Sequence, residues 1–121
     1  MNRGILFVLV IATFMTGRAV IAHHGTFESY DVDKVVTFSG KVTKYRWANP
    51  HSQLFWEVMQ DGKPVLWGGE LHSIALLTRA GMTRDLIQIG DTVEVTGNPS
   101  RAGTPFVVVT KIVHKGVEYF R

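Results

Sequence analysis

The chain has 121 residues, 45% hydrophobic and 19% charged, with a formal net charge of +3 and no cysteine. That length supports one small domain with a real core, and the missing cysteines exclude disulfides, thiol chemistry and cysteine-ligated zinc. Arg3 and Arg18 are the only charged residues among the first 22, so residues 23–121 carry just +1 and have little electrostatic pull on nucleic acid.

Residues 1–22 read as a secretory signal peptide. Arg3 supplies a positive start, and Gly4 to Thr16 is an almost purely apolar run. Its thirteen residues fall short of the ~20 that a membrane-crossing helix needs. Val20 and Ala22 are small enough for the −3 and −1 positions of a cleavage site. Cutting after Ala22 makes His23 the first residue of the mature chain; cutting after Ala19 is the competing site, and an uncleaved anchor or a core helix is the remaining alternative. Export to a bacterial periplasm, with no stable membrane anchor once the signal is removed, is the expectation.

Residues 23–34 form a polar N-terminal arm with two large rings, Phe27 and Tyr30, to dock it. Residues 35–121 carry the domain. Val35 to Trp47 alternates, with Val36, Phe38, Gly40 and Val42 on one face and Thr37, Ser39, Lys41 and Thr43 on the other. Gly40 marks the expected bulge or tight bend in this long strand. Ala48-Asn49-Pro50 interrupts it, because proline removes a donor and pushes Asn49 to an extended conformation. A second strand runs from His51 to Gln60, with Leu54, Trp56 and Val58 in phase. Asp61-Gly62 signals a hairpin, and Lys63 to Glu70 is the third strand, its Gly68-Gly69 pair suggesting another close approach or bulge.

The period then changes. Ser73 to Ala80 reads as a short helix, with Ser73 as its cap, Ile74 and Leu77 on one face, and Gly81 at the left-handed stop. A further turn begins at Thr83-Arg84-Asp85. Asp91 to Gly97 and Pro105 to Val113 are the last two main strands, and Lys115-Gly116 is a final hairpin turn. Three strands, a helix, then two strands is the order of the OB-fold, a five-stranded Greek-key barrel. The fold expected is therefore mainly β, a small OB-like barrel with one short helix between strands 3 and 4. An open five-stranded sheet under one helix is the alternative.

All five histidines lie beyond the signal: His23, His24, His51, His72 and His114. If His23 is residue one, its α-amine, with an ordinary pKa of about 7.7–8.0, can lose its proton and chelate a metal together with the ring. His51 is the best third ligand, because a proline holds the start of its strand stiff. Nitrogen donors without sulfur suit Cu(II) first and Zn second. Asp31 and Glu70 are weaker, secondary oxygen ligands. A solvated terminal pair, with His51 bonded to nearby backbone, is the competing reading. His72 precedes the helix, and His114 sits at the exit of the last strand.

A second feature is aromatic. Tyr45, Trp47, Phe55, Trp56 and Trp67 crowd into strands 1 to 3, with Lys44 and Arg46 among them. Tyr45, Trp47, Phe55 and Trp67 are candidates for a ligand face, since OB barrels bind there. Export and the small charge argue against nucleic acid and for a periplasmic protein, a peptide, a glycan or a small ligand. The alternative is that these rings roof the core or pack under the arm. No spaced carboxylate pair, no G-x-S-x-G and no phosphate-binding loop is present, so no enzyme is expected.

The residues A22-H-H-G-T-F-E-S-Y-D31, G40-K-V-T-K44, W47-A-N-P-H51, E70-L71 with Ser73, G81-M-T-R-D85 and G90-D-T-V-E-V-T-G97 recur in that order in a family of small secreted bacterial proteins. The chain resembles this family, a domain of unknown function with a double histidine at the cleavage site and a W-x-N-P-H motif, over the whole mature length. The resemblance implies an exported single domain with an OB-like barrel; it does not imply an activity. His72 departs from the pattern, where small residues are usual. Met82 stands where an aromatic is frequent.

Overall fold

The computed structural model describes residues 29–120, so the expected signal peptide, His23, His24 and Phe27 lie outside the described residues. Among the described residues these elements follow in order: β1 (Val36–Arg46), β2 (Gln53–Gln60), β3 (Lys63–Glu70), α1 (Ile74–Arg79), β4 (Thr92–Pro99), β5 (Phe106–His114) and β6 (Val117–Tyr119). Neighbouring strands run antiparallel in the order β3-β2-β1-β4-β5-β6, and a parallel pairing of β3 with β5 closes β1 to β5 into a barrel. This is the OB-like architecture expected, with the helix between β3 and β4. Among the described residues no helix is long and apolar enough to cross a membrane.

Closure depends on small residues. Gly68, Gly69 and Glu70 pair with Phe106, Val107 and Val108. A Cβ on Gly69 would sit 2.6 Å from Val109 and 3.2 Å from Trp56, so a larger residue would push the two strands apart. The remaining edge of β5 is covered by β6, whose residues pair with Ile112 to His114. Proline 64 stands near the start of β3 on the part that β5 leaves open, where its missing N–H costs no ladder bond.

The bulge in β1 lies at Thr43, not at Gly40. Val42 pairs with Trp56 and Lys44 with Phe55, leaving Thr43 as the extra residue. Gly40 stays in regular register with Val93; it is a glycine because β1 crosses so close to the Glu57 carbonyl that a Cβ there would overlap it. The extra residue reverses the in–out alternation along β1. Val36, Phe38 and Val42 face inward before it, and Tyr45 and Trp47 pack against the core after it.

Trp56, Leu54, Ile112, Val93, Val95 and Val107 fill the interior, and Phe38 meets Trp67 with ring centroids 4.3 Å apart. Leu77 from α1, with Leu71, Met82 and Ile87, belongs to the same core. A six-residue helix has too few internal bonds to be stable alone, so burial of Leu77 and the two caps hold it. The N-terminal cap comes from a distance. Ser73 makes no side-chain cap bond, and the Ile74 N–H donates instead to Asn49 Oδ1 at 3.0 Å. At the other end Gly81, at φ 85°, donates to the Thr78 carbonyl while Met82 donates to that of Leu77, the left-handed stop that the sequence predicts.

Removing Asn49 therefore exposes a helix donor, whereas removing the Ser73 hydroxyl does not. Asn49→Ala is expected to cost about 1 kcal/mol in urea unfolding, and Ser73→Ala to stay within about 0.5 kcal/mol of wild type. The reverse order of midpoints would contradict the cap assignment.

Candidate functional site

The segment from Trp47 to Ser52 is held by hydrogen bonds at Ala48, Asn49 and Ser52. The Ala48 N–H donates to Ser52 Oγ and the Ser52 hydroxyl donates back to the Ala48 carbonyl, both at 3.1 Å. Ser52 is fully buried, its N–H donates to the His72 carbonyl and its own carbonyl accepts from Leu71. Between them Asn49 caps α1, and the Asn49–Pro50 peptide is cis. His51 thus leaves a loop fixed on both sides. Its ring stands more than half exposed, at 55%, beside the last residue of β3.

That residue is Glu70, held by pairing to Gln53 of β2 on one edge and Val108 of β5 on the other. His51 Nδ1 lies 2.7 Å from Glu70 Oε1. The Tyr30 hydroxyl donates to Glu70 Oε2 at 2.9 Å. Both carboxylate oxygens are therefore engaged, one by the barrel loop and one by the arm. Tyr30 is 8% exposed, stacks on Phe106 and bridges to Ser100, while the Asp31 N–H donates to the Pro99 carbonyl. Burial, then the hydrogen bond and charge of Glu70, push the Tyr30 pKa well above the ordinary phenol value, so its proton stays in place to donate.

The other predicted residues fall elsewhere. Asp31 turns its carboxylate to Lys34 at 3.2 Å and Arg101 at 3.8 Å, and the Lys34 bond leads in holding its pKa below the ordinary value. His72 is exposed, with its ring edge-on to Phe120. Among the described residues no three His, Asp or Glu side chains are placed to hold a metal ion together.

The four candidate rings do not share a face. Trp67 is buried inside the barrel against Phe38. Tyr45 is turned inward by the Thr43 bulge, edge-on to Trp47, and burial raises its pKa above that of an exposed phenol. Phe55 lies on the opposite side of the pleat, edge-on to Phe106, with the Lys44 ammonium 5.7 Å from its ring centroid.

A second histidine–carboxylate pair escaped the sequence reading. His114, 2% exposed, lies with Nε2 2.8 Å from Asp91 Oδ2, an oxygen that also accepts the Gln88 N–H at 3.0 Å. The pair locks the end of β5 to the entry of β4. Because an ionised carboxylate only accepts, Nε2 carries the proton. The Gln88 N–H first, and His114 next, hold the Asp91 pKa below the ordinary value. A group lowered on folding adds stability above its unfolded pKa, near 4, and loses it as pH falls through the lowered folded value. The Tm advantage of wild type over Asp91→Asn should therefore shrink between pH 6 and pH 3. An advantage constant across that range would contradict an ionised, bonded Asp91.

A crystal structure of yeast Stn1 and Ten1 matches this chain at TM-score 0.45 and 18% identity, covering 66% of this chain and 42% of that one. This chain thus spans less than half the length of the chain it matches there. No curated protein matches at a significant level. Residues 11–108 match the model of a family described as a family of unknown function, DUF6152, and the chain belongs to that family.

Proposed function

We propose that the chain is an exported, periplasmic binding protein without catalytic activity that takes Cu(II), or Zn(II), through its N-terminal histidine pair and His51. The observation that supports this reading is the half-exposed His51 ring, bonded on one nitrogen to Glu70 beside the anchored end of the arm. Seven Cα-to-Cα steps separate Tyr30 from His23. At up to about 3.6 Å per residue they span at most roughly 25 Å, so a chain starting at His23 can bring its amine back to the barrel edge. Amine and imidazole nitrogens without sulfur favour Cu(II) over the other common divalent ions. The small charge of the mature chain gives no support to a nucleic-acid partner.

The test is a Cu(II) titration of protein beginning at His23, compared with the same protein acetylated at its N-terminal amine and with His51→Ala. Both changes remove a proposed nitrogen, and each is expected to weaken binding by about tenfold or more, where a decade is about 1.4 kcal/mol. Equal, weak binding by all three proteins would end the terminal-chelate reading.

The second reading, a metal-independent module for a periplasmic protein, peptide or small ligand, is supported by the outward Phe55–Phe106 pair beneath Lys44. Phe55→Ala is its discriminating variant. Pull-down of a partner that survives chelator and disappears in this variant would favour it over the metal site; binding that persists in the variant would count against that face.

A further inference from the structure

Resting on the reading of His51 as a ligand, we propose that Glu70 and Tyr30 are its positioning residues: Glu70 holds the imidazole in the Nδ1–H tautomer, so that Nε2 is the ligating nitrogen, and Tyr30 holds Glu70. A carboxylate has no proton to give, so the 2.7 Å contact places the hydrogen on Nδ1. A neutral imidazole has one N–H, and Nε2 is then left with its lone pair. A free imidazole prefers the opposite tautomer; the protein selects the less common one. A metal-bound histidine that gives its other N–H to a carboxylate is oriented and made more basic by it.

The carboxylate is itself built to stay. Its backbone is paired on both edges, to Gln53 and to Val108, at the one place where β3 closes the barrel. Its second oxygen accepts from the hydroxyl of Tyr30, a buried residue whose ring stacks on Phe106. A single contact to His51 would leave Glu70 free to rotate away; the Tyr30 bond removes that freedom. The same hydroxyl marks the point where the arm leaves the barrel. Presentation of His51 and anchoring of the arm are thereby coupled through one side chain.

The experiment reads the tautomer without any metal. Protein labelled with 15N-histidine is examined by long-range 1H–15N correlation at pH 8, above the ordinary imidazole range. His51 in wild type is expected to show a protonated Nδ1 and an unprotonated Nε2. Glu70→Gln keeps an oxygen acceptor and should retain that pattern, Tyr30→Phe should mix the tautomers, and Glu70→Ala should move His51 toward Nε2–H. Zn(II) affinity should fall by about 10–100-fold in Glu70→Ala and by less in Tyr30→Phe. An Nε2–H tautomer in wild type, or a pattern unchanged in both Glu70→Ala and Tyr30→Phe, overturns the proposal. A tautomer that shifts as expected with unchanged Zn(II) affinity sustains the positioning role and removes His51 from the ligand set. Glu70→Gln and Tyr30→Phe keep the test decisive should Glu70→Ala fail to fold.

Discussion

The short parallel ladder between Gly68–Glu70 and Phe106–Val108 is the constraint on which the rest of the molecule depends. Four antiparallel pairings bring β3 and β5 to the two ends of a curled sheet, and only this ladder joins them. Their approach leaves no room for a side chain at Gly69, and the Phe106 ring lies over Gly68. The last residue of the ladder is Glu70. A side chain on backbone bonded from both edges is an unusually firm post in so small a domain, and the arm and the Trp47–Ser52 loop are both fastened to it.

The W-A-N-P-H stretch and the serine that follows it then acquire a physical meaning. Asn49 supplies the acceptor that the first turn of α1 lacks, and Ser52 is buried where it bonds Ala48 on both its N–H and its carbonyl. Fixed from both directions, the loop presents His51 to solvent and to Glu70 together. A loop of six residues thus joins the helix plug, the barrel wall and the candidate site. A change at Asn49 or Ser52 would reach His51 through the backbone, without touching it.

Much of the fold was legible because alternation and turn chemistry are local. The pattern of β3 from Lys63 to Glu70, the Asp61-Gly62 hairpin and the Gly81 stop each need only a few neighbouring residues to be read. The Thr43 bulge does not announce itself in composition. It reverses which side of β1 each later residue takes, so Tyr45 and Trp47, read as surface rings beside Lys44 and Arg46, turn to the core while the two cations remain outside. The donors and acceptors that matter most are separated widely along the chain. Asn49 reaches Ile74, Tyr30 reaches Glu70, and Asp91 reaches His114. His51 and Glu70 were both visible as candidates, yet only the closed barrel makes them partners of each other and of Tyr30. On the reading proposed here, Glu70 orients a ligand through one oxygen and is held by Tyr30 through the other.

The most direct measurement of the central claim is anomalous diffraction at the copper edge from crystals of the processed protein loaded with one equivalent of Cu(II). The account predicts a single strong peak within coordination distance of His51 Nε2, with the amine of His23 at the same ion and the Glu70 carboxylate still on His51 Nδ1. A peak bonded to Glu70, or one remote from His51, would contradict it.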